Sequence, residues 1–356
     1  MAVARELTGS TKTKERKEIL AGLESGEIGL LIGTHAVITD KVEFNKLALC
    51  VTDEQHRFGV TQRAALSGKG KNPHVLVMSA TPIPRTLSLI IYGDLAISVL
   101  DEKPAGRQEI ETYAVPCSFH PRIHAFIKKQ LDAGRQGYVV CPLVEEKEDE
   151  NEEESEELKQ RRISAEAYMK ELSAGVFRDY PTALLHGKLK PKQKDAVMAA
   201  FAAGEIKLLI CTTVIEVGID VPNANIIVIE NAECFGLSQL HQLRGRTGRG
   251  SEKSYCILIS DAAGESAKRR FQIMTETNDG FKIAEEDLAL RGPGDFFGAR
   301  QSGLPTLRIA DLMTDSRIMY AAGRDAKRII AADPYLNAPQ HTQLKKSVSR
   351  LFADIS

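Results

Sequence analysis

Tryptophan is missing from the 356 residues, and no apolar stretch approaches the length needed to cross a bilayer. Nothing near the start reads as a signal peptide. A dominant charge is missing too. Lys plus Arg total 47 against 48 Asp plus Glu, so the chain as a whole is no polybasic nucleic-acid binder. Any such surface must come from local placement of Arg and Lys. The six cysteines stand far apart, at 50, 117, 141, 211, 234 and 256, and no pair has CxxC spacing. That leaves no zinc site to propose. Cys50, Cys141 and Cys211 lie in or beside apolar runs, where cysteine acts as a small hydrophobe. They read as reduced thiols of a cytosolic protein.

What is present is an internal repeat. Residues 7–34 align without gaps on residues 185–212, and 12 of the 28 positions are identical. Gly9 falls on Gly187, Lys14 on Lys192, Gly26-Glu27-Ile28 on Gly204-Glu205-Ile206, Leu30-Leu31-Ile32 on Leu208-Leu209-Ile210, and Thr34 on Thr212. A period of 178 is too long for a solenoid and suits two copies of one α/β lobe. Each copy reads as a Gly-containing turn, an amphipathic helix and a buried strand ending in Thr. Further apolar runs at 47–51, 75–78, 138–141, 226–229 and 255–259 alternate with helical patterns. The fold class is therefore α/β, with parallel sheets covered on both faces. Ligands of such sheets collect at the carboxyl ends of the strands. The acidic run 145–162 reads as a solvated loop or exposed helix start, away from any phosphate backbone. From about residue 266 helical segments, the Gly-rich "LRGPGDFFGARQSG" and a helical tail over 310–352 replace the lobe pattern. The expected divisions are 1–112, 113–265 and 266–356.

Four motifs carry chemistry. "LALCVTDE" delivers Asp53 and Glu54 to the end of a central strand. Asp53 can hold Mg²⁺ through water, and Glu54 can orient and deprotonate an attacking water. In "MSATPIPRTL", residues 78–87, Ser79 and Thr81 end a second strand and can bond the neighbouring carboxylates or His56. In "TTVIEVGIDVPNA", residues 212–224, Thr212 and Thr213 can donate to backbone phosphates, Gly218 permits close approach, and Asp220 can face a ribose or a partner Arg. "HQLRGRTGRG", residues 241–250, places Gln242, Arg246 and Arg249 on or near one helical face. Guanidinium groups suit a transferring γ-phosphate. Taken singly, each motif also reads as an ordinary strand-end turn or basic surface helix.

Together, "DEQHRFG", "SATPIPRTL", "TTVIEVGIDVPNA" and "QLRGRTGRG" resemble a superfamily 2 helicase motor with two RecA-like lobes. "DEQHRFGVTQR" with "IAEEDLALRGPGDFFGARQSG" resembles the RecG family of ATP-dependent DNA helicases. The related transcription-repair coupling factor is the runner-up, since "DEEHRFG" is expected there. The resemblance implies ATP and Mg²⁺ as cofactors and branched double-stranded DNA, such as stalled forks and Holliday junctions, as substrate. It implies a bacterial, cytoplasmic, nucleoid-associated protein, with single-stranded DNA-binding protein as a partner. It assigns Asp53 and Glu54 to the metal-and-water pair, with Gln55 and His56 completing that box, and Ser79 and Thr81 to coupling. Gln242, Arg246 and Arg249 become the γ-phosphate motif. Thr8, Gly9, Ser10, Thr34 and His35 become backbone-phosphate contacts of the first lobe, and Thr212 and Thr213 those of the second. Arg291, Arg300 and Gln301 fall in a helical hairpin that couples lobe motion to translocation; "GARQSG" replaces the family's usual "GTRQSG".

One expected part is absent: no G-x-x-x-x-G-K-[ST] phosphate loop occurs. "LTGSTKT" at 7–13 is a decoy, because Gly9 pairs with Gly187 of the second copy. The expectation is a first lobe cut short, the chain being the C-terminal portion of the enzyme. Such a portion should lack ATPase activity of its own, and its bare sheet edges should invite disorder or self-association over 1–112. The competing expectation is a helicase-like module that grips DNA or a partner without chemistry.

Overall fold

The computed structural model describes residues 3–9, 11–39, 41–53, 68–79, 96–100, 102, 108–142, 171–172, 174–187, 189–212, 221–250, 252–296 and 315–353. They fall into two compact units divided after Pro82.

The first unit begins with β1 (Val3–Leu7), α1 (Thr13–Ser25) and β2 (Ile28–Gly33), and continues with β3 (Leu49–Thr52) and β4 (His74–Val77). β1 pairs with β2 and β3 with β4, both parallel. Helix α1 buries Ile19 and Leu23, four residues apart, against Leu7 and Val42.

The second unit holds a six-stranded, all-parallel sheet in the order β5-β10-β9-β6-β8-β7. Its strands are β5 (Ile110–Val115), β6 (Gln136–Val140), β7 (Thr182–Leu185), β8 (Leu208–Cys211), β9 (Ala224–Ile229) and β10 (Ser254–Ile259). Its helices are α2 (His120–Asp132), α3 (Pro191–Ala202), α4 (Leu237–Arg244), α5 (Glu265–Glu276), α6 (Gly280–Phe296), α7 (Ser316–Ala332) and α8 (Thr342–Ala353). β5 straddles the expected boundary at 112/113 and pairs along its whole length with β10, so the second lobe starts no later than Ile110.

The strand alternation sorts the core into two layers. Leu208, Ile210, Val139 and Val228 face one side, where α2 contributes Ile123, Ile127 and Leu131. Leu209, Cys211, Tyr138 and Ile227 face the other, with Phe201 of α3, Leu240 of α4 and Phe271 of α5. Both faces are covered, as the continuous apolar runs require.

The repeat is reproduced residue for residue. Ala4, Arg5 and Leu7 pair with Leu30, Leu31 and Gly33. Thr182, Ala183 and Leu185, each 178 positions on, pair with Leu208, Leu209 and Cys211. The residues preceding the two helices have nearly the same backbone, φ −61° and ψ 147° at Lys12, φ −62° and ψ 147° at Lys190. Each helix is followed by a glycine in the left-handed region, Gly26 at φ 81° and Gly204 at φ 77°, where a side chain would be strained. Burial differs sharply between the copies. Leu208 and Ile210 are 0 % exposed, whereas Leu30 is 51 % and Ile32 61 % exposed. Burying such a side chain fully is worth roughly 1.5–3 kcal/mol, a gain the first copy largely forgoes. The buried strand expected of each copy is thus found in the second alone.

Two titrating contacts generate predictions. At the carboxyl edge of the large sheet His120 lies 3.1 and 3.2 Å from the two oxygens of the buried Glu230 carboxylate. The hydrogen bond to Glu230 holds the imidazole pKa above its ordinary 6.5, against the opposing pull of burial. The stabilisation is thus fully present below pH 6.5 and is lost as pH rises through the raised value. We expect His120→Gln to lower the melting temperature at pH 5.5 and the gap from wild type to narrow as pH rises through the raised pKa; a gap independent of pH in thermal melts would refute this. Between α7 and α8, Asp333 accepts the N–H groups of Asn337 and Ala338, both at 2.9 Å, and contacts His341 Nδ1 at 2.8 Å. These bonds, Ala338 first, draw its pKa down to about 2 from 3.8. The loop's stabilisation is present above pH 3.8 and lost as pH falls towards 2. Asp333→Asn should speed amide exchange at Asn337 and Ala338 several-fold at pH 6, an effect readable by mass spectrometry.

Candidate functional site

The turn after β1 is held by its own threonines. Thr11 Oγ1 accepts the Thr8 N–H at 2.9 Å, and the Thr11 N–H reaches the Thr8 carbonyl at 3.3 Å. Gly9, at the crest, has open space around its Cα, so a backbone can approach it closely. The matching exits follow β2 and β8. The Thr34 N–H bonds Leu7 O at 3.4 Å, and the Thr212 N–H bonds Leu185 O at 3.1 Å. Thr34 is exposed and leads into a short 3-10 turn at His35–Val37. Thr212 is 5 % exposed, and its Oγ1 meets no hydrogen-bond partner among the described residues. Each lobe therefore has a Gly turn and a Thr at the carboxyl ends of two neighbouring parallel strands, the Thr exposed in the first and buried in the second.

β3 and β4 build the acidic edge. Thr52 pairs with Val77, and the Met78 N–H donates to Thr52 O at 2.8 Å. Asp53 and Ser79 consequently leave adjacent strand ends on the same edge, both exposed. An exposed carboxylate at a strand's carboxyl end is a suitable oxygen donor for Mg²⁺. Glu54, Gln55, His56 and Thr81 lie outside the described residues, as do Ser10, Thr213, Gly218, Asp220, Arg300 and Gln301. Arg291 falls within α6, with only its backbone described.

The arginine motif differs from the expected single helical face. Helix α4 ends at Arg244, so Gln242 lies in its last turn while Arg246 and Arg249 lie beyond it. The Thr247 hydroxyl caps the Arg244 carbonyl at 3.0 Å. Gly248 follows at φ 74°, where a Cβ would come within 2.8 Å of Ile110 Cγ1. A left-handed, crowded position accepts only glycine, and it turns the chain out of helix. Arg249 is exposed, its Nε donating to Gly245 O at 3.3 Å.

Arg244 itself is a structural anchor that motif reading passed over. It is 2 % exposed. Its Nη1 donates to Met274 O at 2.8 Å, Thr277 O at 3.0 Å and Thr112 Oγ1 at 3.3 Å, and Nη2 lies 3.2 Å from His241 Nδ1. Burial pulls its pKa below the ordinary guanidinium value. The signal was available: Arg244 follows Leu243 and lies four residues after Leu240, on the apolar face of α4. Ser238 adds a second tie from α4, donating to Asp287 Oδ2 of α6 at 2.6 Å. Among the described residues no three His, Cys, Asp or Glu side chains gather as metal ligands, and no helix is long and apolar enough to cross a membrane.

Comparison with known proteins covers most of the chain. Residues 1–90 match the DEAD/DEAH box helicase model, residues 126–251 the helicase conserved C-terminal domain, and residues 277–353 the model for ATP-dependent DNA helicase RecG, domain 3, C-terminal. A Bacillus subtilis protein named ATP-dependent DNA helicase RecG is 50 % identical over 340 residues, 95 % of this chain and 48 % of the relative. Its Thermotoga maritima namesake is 47 % identical over 323 residues, 91 % of this chain and 40 % of the relative. A solved structure of RecG bound to a three-way DNA junction superposes with TM-score 0.67 at 43 % identity, covering 90 % of this chain and 40 % of that one. The Mycobacterium smegmatis helicase Lhr, bound to single-stranded DNA and AMP-PNP, shares the fold alone, with TM-score 0.52 at 14 % identity over 92 % of this chain and 40 % of that one. The chain spans about half the length of its RecG relatives. With parallel RecA-like sheets, the helicase models and the RecG-specific third domain all on one chain, it belongs to the RecG family of superfamily 2 DNA helicases.

Proposed function

We propose that the chain is the motor portion of an ATP-dependent helicase that remodels branched DNA, stalled forks and Holliday junctions among them. The observation that carries the reading is the duplicated β-α-β unit with identical strand register. It offers two equivalent backbone turns, each at the carboxyl edge of its own sheet. Thr8, Gly9, Thr34 and His35 of one copy, and Thr212 and Thr213 of the other, would contact DNA phosphates. Asp53 would hold Mg²⁺ through water, with Glu54 and His56 beside it. The ion would neutralise charge on the β- and γ-phosphates of ATP. Gln242, Arg246 and Arg249 would stabilise the transferring phosphoryl group, and Gly218 and Asp220 would approach the nucleotide. Ser79, Thr81, Gln55, Arg291, Arg300 and Gln301 would link hydrolysis to movement on DNA. The family resemblance extends the proposal to a nucleoid-associated protein in the bacterial cytoplasm that meets single-stranded DNA-binding protein.

A second reading, a module that binds DNA without chemistry, is favoured by one observation. The 356 residues contain no phosphate loop, and the β- and γ-phosphates are normally cradled by such a loop's N–H groups and Lys. We expect residues 1–356 alone to show no DNA-stimulated ATP turnover. The protein purified as its gene encodes it should hydrolyse ATP faster on a three-way junction than on linear duplex. There Arg249→Ala should lower kcat by about a thousandfold and leave junction binding within about threefold. Equal kcat in variant and wild type would remove Arg249 from the chemistry. Turnover indifferent to the branch would remove the substrate assignment.

A further inference from the structure

Helix α4 has only eight residues, too few to hold a direction by itself. The chain reaches it from β9 through Asn231, at a left-handed φ of 45°, and a 3-10 turn at Ala232–Cys234. Within this approach the Cys234 N–H bonds Asn231 O and the Phe235 N–H bonds Ala232 O. The carbonyls of Glu233 and Phe235 are taken by a side chain from elsewhere: Arg270 of α5 donates Nη1 to Phe235 O and Nη2 to Glu233 O, the latter at 3.2 Å. Its Nε is braced on Ser266 O of its own helix at 3.4 Å. A fork on two carbonyls two residues apart sets orientation as well as distance, which a single ammonium cannot do. The far end of α4 is tied in the reverse direction, Arg244 reaching Met274 O and Thr277 O at the end of α5. These are carbonyls at the negative end of the helix dipole, where a cation is favoured. Helix α5 therefore splints α4 at both ends, with one arginine given and one received.

We propose that Arg270 is a positioning residue for the arginine motif. By holding Glu233 O and Phe235 O it sets the direction in which α4 and the turn after it deliver Gln242, Arg246 and Arg249, without touching nucleotide. The inference rests on the proposed ATPase role of those three residues. A tilt of α4 that moves the arginine tips by about an ångström would cost on the order of a hundredfold in rate.

The test uses Arg270→Lys and Arg270→Gln in the protein as its gene encodes it. DNA-stimulated kcat for ATP should fall about ten- to a hundredfold in both variants while KM stays within about threefold. Lysine should rescue little, because the fork, and not the charge, does the holding. Amide exchange should rise about tenfold over residues 232–249 and stay unchanged in β6, β8 and β9, with a melting temperature within about 4 °C of wild type. Wild-type kcat in a variant whose 232–249 exchange has risen would overturn the inference. So would full rescue by lysine, or a kcat loss matched by faster exchange across the whole sheet. If the wild type hydrolyses no ATP, the proposed function itself fails. The exchange pattern then decides the remainder: local acceleration upholds Arg270 as the holder of α4, and no acceleration overturns it.

Discussion

Parallel strand pairing is the constraint on which the rest depends. When every strand of a sheet runs the same way, all carboxyl ends lie on one edge, and the side chains that follow them are gathered without any further device. Glu230, Thr212 and the approach to α4 share the edge of the six-stranded sheet, just as Asp53 and Ser79 share that of β3 and β4. The pairing also demands long crossovers with helices on both faces, and so dictates the two apolar layers of the second unit.

On that frame the polar groups divide by burial. Arg244 is a charged side chain in a packed interior that bonds two carbonyls, a hydroxyl and an imidazole nitrogen. Removing such a group would strand the carbonyls it satisfies, and leaving it without them would strand the charge. The arrangement is therefore all-or-none, which suits an element whose angle matters. The Ser238–Asp287 bond extends the same logic to α6, so α4 is bonded to α5 and α6, the first two helices after the sheet.

Much of this was legible in the residues. The repeat was read from identities such as Gly26-Glu27-Ile28 on Gly204-Glu205-Ile206, and identity of that density carries over into register because a one-residue slip would reverse every strand face. The strand-end position of Asp53 followed from the apolar run ahead of it. The helical face for Arg246 and Arg249 did not survive, since spacing of four and three presumes a helix that continues. Gly248 and the Thr247 cap end it at Arg244. Arg244 was overlooked because an arginine in a basic motif looks like surface, although its place beside Leu240 and Leu243 marked an inward position. The burial of Leu-Leu-Ile could not be read at all: the same three residues stand at 30–32 and at 208–210, and only tertiary surroundings tell them apart.

That contrast has a practical consequence. Leucine and isoleucine of β2 are turned half towards water, and in the separate pair β3 and β4 Leu49, Val51 and Leu76 are also about half exposed, apolar surface of the kind that favours association. Were that surface to meet other molecules in solution, a few aliphatic side chains of the first unit would set how concentrated the chain can become before it clouds, and a net charge of −1 would offer little repulsion against it.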